Sequence, residues 1–69
     1  MRALLNSTNL HEVIYHPSLQ MMEVHFHSGH AYRYMGVPTR VFNELINAPS
    51  AGRYYNHKIR GHFSSVRWF

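Results

Sequence analysis

The amino-acid sequence predicts an α+β fold: a three-stranded antiparallel β-meander packed against two short C-terminal helices. Three observations carry this. The first half holds β-branched and aromatic residues in short runs, separated by turn signals at Pro17-Ser18 and Ser28-Gly29. The stretch from Thr39 to Asn47 carries apolar residues at helical spacing. Ala48-Pro49 and Gly61 then bracket a second, shorter helical segment.

The elements follow in order. His11 to His16 is the first strand, closed by Pro17-Ser18. Leu19 to His27 is the second; from Met22 onward it alternates, with Met22, Val24 and Phe26 on one face and Glu23, His25 and His27 on the other. Ser28-Gly29 makes a hairpin turn into a third strand, His30 to Met35. There Tyr32 and Tyr34 share the face expected to be covered by the first helix, and Arg33 faces the other way. Pro38 suits a helix start because its missing N–H needs no partner there. The helix that follows presents Val41, Phe42, Leu45 and Ile46. Ser50 caps the second helix, Tyr55 and Ile59 point inward with Phe63 beyond them, and Gly61 ends it. The tail Ser64-Ser65-Val66-Arg67-Trp68-Phe69 is apolar for a terminus and should dock on the sheet or contact a partner subunit.

Sixty-nine residues form one domain, 1–69. A chain of this size buries only about 60% of its unfolded surface. Without cysteine there are no disulfides and no thiolate metal sites. Oligomerisation is the remaining staple, so a homo-oligomer is expected. Seven Lys and Arg stand against Glu12, Glu23 and Glu44, giving a formal charge of +4. That balance favours an anionic partner, and six of the seven cations are Arg, whose planar fork suits phosphate and stacks on bases. No apolar run approaches the roughly 18 residues of a membrane span. The short patch Met1-Arg2-Ala3-Leu4-Leu5 does not reach signal-peptide length, so the chain reads as cytoplasmic.

The chemistry concentrates between Ser50 and Arg60. On a regular helix Arg53, His57 and Arg60 fall at i, i+4 and i+7 and share one face. Ser50 and Gly52 stand at the helix start, where hydroxyl and N–H donors suit a phosphate. Tyr54 is the expected stacking residue, and Lys58, His57 and Arg33 add to the positive field. Catalysis is poorly equipped. There is no Cys or Asp, the three Glu fall in different elements, and a Ser50–His57 pair lacks an orienting acid. His25, His27 and His30 lie on or beside a hairpin exterior and read as solvated, with no metal site and no cofactor expected.

These residues together resemble the KTSC domain, a small domain named for its occurrence at the C-terminus of some lysyl-tRNA synthetases and also found as a free-standing protein in bacteria and phages. The matching pieces are Val13-Ile14-Tyr15, Met22-Glu23-Val24-His25-Phe26, Ser28-Gly29, Tyr32-Arg33-Tyr34 with Val37-Pro38, and Ala48 to Asn56 with Ile59-Arg60. The similarity runs from about Ser7 to Phe63. The ordered combination of the Tyr-x-Tyr with the later Ser-x-Gly-Arg-Tyr is its most specific part. The chain departs where members often have Gly-Tyr-Asp and it has Ile14-Tyr15-His16. The association with tRNA synthetases implies RNA binding.

The expected function is non-catalytic binding of a phosphate-bearing ligand, RNA or a small nucleotide. Two alternatives come from other classes. One is a phage-type oligomeric sponge that sequesters a nucleotide immune signal. The other is a protein–protein interaction module that uses the aromatic tail.

Overall fold

The computed structural model describes residues 1–69 as one antiparallel sheet with helical segments on one of its faces. The strands are β1 (Arg2–Leu4), β2 (Leu10–His16), β3 (Met21–Phe26), β4 (Ala31–Met35) and β5 (Ser64–Arg67), in spatial order β1-β2-β3-β4-β5. The meander expected from the sequence is therefore the centre of a five-stranded sheet, not the whole of it. β1 pairs with β2 through Arg2–Ile14, Ala3–Val13 and Leu4–Glu12. β5 pairs with β4 through Tyr32–Arg67, Arg33–Val66, Tyr34–Ser65 and Met35–Ser64. The apolar tail thus docks on the sheet of its own chain.

Alternation fixes which face is the core. Val13 and Tyr15 of β2, Met22 and Val24 of β3 and Tyr34 of β4 are buried on the helix side. Leu10 is buried with them although it is three residues from Val13. A register shift between Leu10 and Glu12 makes this possible, because one extra residue returns the strand to the phase that points Leu10 inward. Between β3 and β4 the turn closes at Ser28-Gly29, where Gly29 adopts φ 97°, a left-handed conformation that suits a residue without Cβ.

Helix α1 (Thr39–Asn47) starts after Pro38 and lays Val41, Phe42 and Leu45 on the sheet. Ile46, expected on that stripe, is instead exposed. Three residues at i, i+1 and i+4 already fill the contact with this narrow sheet, and a fourth position points past it. Tyr15 fixes the docking: its ring stacks on Phe42 at 5.2 Å, and its hydroxyl donates to the Val37 carbonyl at 2.5 Å. A second helical segment begins as α2 (Ala51–Tyr54) and continues as a π turn over Tyr55–Ile59. The Arg60 N–H donates to the Tyr55 carbonyl at 2.9 Å, five residues back. Tyr55 and Ile59 keep their expected inward orientation. Arg60 itself has extended backbone, and Gly61, at φ 80°, turns the chain toward β5.

The opposite sheet face carries no helix. It holds Arg2, Glu12, Ile14, Glu23, His25 and Arg33 in neighbouring rows. No helix of the chain is long and apolar enough to cross a membrane.

Candidate functional site

Two adjoining clefts open where the Asn6–Asn9 loop, the β3–β4 turn and the α2–π segment meet. The larger is about 650 Å3. Its apolar wall comes from Leu10, Phe26, Tyr32, Tyr34 and Tyr55, and its polar wall from residues that include Asn56, His30 and Arg60. The smaller, about 470 Å3, is lined mainly by polar residues of the Asn6–Asn9 loop and by Pro49 to Arg53, Asn56 and His57. Thr8, Asn9, Gly52 and Asn56 line both, so the clefts share one ridge.

The aromatic wall is held rigid by edge-to-face packing. Phe26 meets Tyr32 at 5.8 Å and Tyr55 at 5.5 Å between ring centroids, and Tyr34 meets Tyr55 at 6.0 Å. The Tyr34 and Tyr55 hydroxyls are hydrogen-bonded to each other. Two phenols own two protons, and their mutual bond uses one. The other has no partner within the protein and remains a donor at the cleft wall. Burial, reinforced by the bond to Tyr55, raises the Tyr34 phenol well above its ordinary value, while the nearby Arg60 charge opposes the rise. Tyr34 therefore keeps its proton at physiological pH.

The electrostatics are one-sided. No carboxylate lines either cleft. Glu12 pairs with Arg2 at 2.8 Å and Glu23 with Arg33 at 3.3 Å, both on the open sheet face. Glu44 accepts a 2.6 Å hydrogen bond from the Tyr54 hydroxyl. Arg53, Lys58 and Arg60 have no acidic partner within 4 Å. Arg60 stands in the aromatic cleft, and Arg53 and His57 in the polar one.

This separates residues that the sequence places together. Arg53, His57 and Arg60 do not share one face, because the π turn inserts an extra residue into the helical period and Arg60 leaves the helix in extended conformation. Ser50 acts as the helix cap: its hydroxyl accepts the Arg53 N–H at 3.2 Å and its carbonyl accepts the Tyr54 N–H at 3.0 Å. Gly52 packs close to the Asn6–Asn9 loop, since a Cβ there would lie 3.5 Å from the Ser7 hydroxyl. Tyr54 lines neither cleft and is tied to Glu44. Lys58 is exposed outside both. Arg33 lies on the far sheet face, its guanidinium 4.1 Å above the Trp68 ring.

Sequence reasoning missed Tyr55, Asn56 and Thr8 as site residues. Tyr55 reads as a core position from its spacing, and it is one; it lines the cleft as well. Tyr32 and Tyr34 lie on the helix-covered face as expected, yet both also reach the cleft. The histidines do not converge. His25 lies 3.4 Å from Glu23, His27 donates from Nε2 to the Ser7 carbonyl at 3.0 Å, and His30 accepts from Arg67 at 3.0 Å. No group of three or more His, Cys, Asp or Glu is arranged to hold a metal ion.

Comparison with known proteins gives a consistent picture. The family model of the KTSC domain matches residues 6–63. An uncharacterized protein of Stutzerimonas stutzeri is 44% identical over 59 residues, covering 86% of this chain and 83% of that protein. A lysine–tRNA ligase of Nostoc sp. is 45% identical over 49 residues, which are 71% of this chain but only 9% of the ligase. The crystal structure of a KTSC domain protein from Yersinia pestis superposes with a TM-score of 0.91 at 30% identity, covering 100% of this chain and 97% of that one.

Proposed function

The chain belongs to the KTSC domain family, and on that premise we propose that it is a non-catalytic module binding a phosphate-bearing ligand, RNA or a nucleotide, at the paired clefts. One observation carries this reading. The aromatic wall of Tyr32, Tyr34 and Tyr55 faces Arg60 across a cleft with no carboxylate, while all three glutamates are engaged elsewhere. An apolar plate beside an unpaired guanidinium suits a base linked to a phosphate. A charge-assisted contact from Arg60 would contribute about 1.5–3 kcal/mol before its ordering cost. The occurrence of a similar segment in a lysine–tRNA ligase supports RNA as the context.

Relative to the sequence expectation, the weight moves from the helix start to Arg60 and the tyrosines. Ser50 is occupied as a cap, Tyr54 is bonded to Glu44, and Arg33 lies across the sheet. The test is fluorescence anisotropy of labelled single-stranded RNA with the full chain at low salt, repeated with Arg60→Ala. Saturable binding that weakens in the variant supports the reading. No binding to RNA, together with no retained nucleotide by native mass spectrometry, overturns it.

A further inference from the structure

We infer that the two clefts are consecutive subsites and that the ligand presents two linked nucleotides of a single RNA strand rather than one free nucleotide. The inference rests on the nucleotide-binding reading above and deepens it.

Three features support it. Each cleft alone, at about 650 and 470 Å3, is in the size range of a site for one small-molecule unit. Each has its own unpaired cation, Arg60 in one and Arg53 in the other, so two phosphates can be neutralised at separate places. The clefts are contiguous across the ridge of Gly52 and Asn56, which lets one chain cross from one to the other.

The subsites differ in character, and the difference assigns what each takes. The Tyr34–Tyr55 pair is more than nine-tenths buried and offers one spare phenolic proton, so the aromatic cleft takes an unstacked base with a hydrogen-bond acceptor on its edge. The other cleft has almost no apolar lining and takes sugar and phosphate, with Asn56 able to donate and accept along the ridge.

The experiment is calorimetric titration of the full chain with three ligands for each of the four bases: the nucleoside monophosphate, the nucleoside diphosphate and the 5′-phosphorylated dinucleotide. We expect some dinucleotide to bind at least about tenfold tighter than either single-nucleotide ligand, the return of one further charge-assisted contact. In Arg53→Ala/His57→Ala that advantage falls to about twofold or less. Both side chains are exposed, and circular dichroism verifies that the variant folds. A diphosphate that matches the dinucleotide overturns the two-nucleotide footprint and leaves nucleotide binding standing. So does a dinucleotide advantage that survives the double substitution. Failure of all ligands and of longer RNA overturns both readings.

Discussion

The Tyr34 and Tyr55 hydroxyls share one hydrogen bond, and it ties the fourth strand to the π turn across the wall of the larger cleft. Their rings also meet edge to face. The same two side chains therefore close the core and shape the site. Separating stability from binding at these positions calls for a probe that acts on the protons.

Alkaline pH is that probe. Burial and the Tyr55 bond raise the Tyr34 phenol, and burial with the Glu44 bond pushes Tyr54 up to about 12. A raised folded-state pKa means that the native state keeps protons the unfolded chain has already released. The contribution is complete below the ordinary phenol pKa of about 10 and is lost as pH rises through the folded value. Urea midpoints should be level near neutrality and fall from about pH 10 upward. Tyr34→Phe should lower the neutral-pH midpoint and make the alkaline fall shallower; Tyr54→Phe should also flatten the fall. An unchanged alkaline slope in both variants would count against these two groups as its source.

The centre of this fold was legible because its signals are local. Alternation in Met22-Glu23-Val24-His25-Phe26 and the turn at Ser28-Gly29 determine a hairpin without reference to the rest of the chain. The two edge strands were not legible for opposite reasons. Arg2–Leu4 spans three residues, too few to show a period. Ser64–Arg67 is exposed at every position and forms because β4 offers an unpaired edge, which is information held about thirty residues earlier along the chain rather than in the segment itself. The expectation that Arg53 and Arg60 share a face was lost for the same reason. A period of 3.6 predicts Arg60 beside Arg53, but the turn over Tyr55–Ile59 widens to bury Tyr55 and Ile59 while the chain leaves for β5. Tertiary demand overrode the local period.

Ile59 is fully buried at the end of that turn. Ile59→Val should cost about 0.5–1.5 kcal/mol and Ile59→Ala about 2–5 kcal/mol. With about 4–8 °C per kcal/mol for a domain of this size, thermal melts by circular dichroism resolve the first. The second should leave much of the population unfolded, given the small total stability of short domains. A melt of Ile59→Ala indistinguishable from the parent would contradict the packing described.

Trp68 is the sole tryptophan and lies against Arg33. Its fluorescence should report whether β5 is docked. Arg33→Gln should shift the emission and destabilise the domain by at least about 0.5–1 kcal/mol, the usual size of an exposed cation–π contact, because it also unpairs Glu23. Removing residues 64–69 uncovers Ala31 and the β4 edge, so its melting temperature should drop by more than that of the point variant. Equal melts for the full and shortened chains would mean that β5 adds nothing to the sheet.

Salt dependence separates the guanidinium of Arg60 from its packing. For single-stranded nucleic acid each neutralised phosphate contributes about −0.7 to the slope of log affinity against log salt. Arg60→Ala should weaken RNA binding by about one to two orders of magnitude at low salt and reduce the slope by about 0.7. Arg60→Lys keeps the charge but loses the planar fork, so it should hold the slope and recover only part of the affinity. A loss of affinity in Arg60→Ala with the slope unchanged would mean that Arg60 shapes the cleft without meeting a phosphate, and the anion would then have to be sought at Arg53, on the other side of the Gly52–Asn56 ridge.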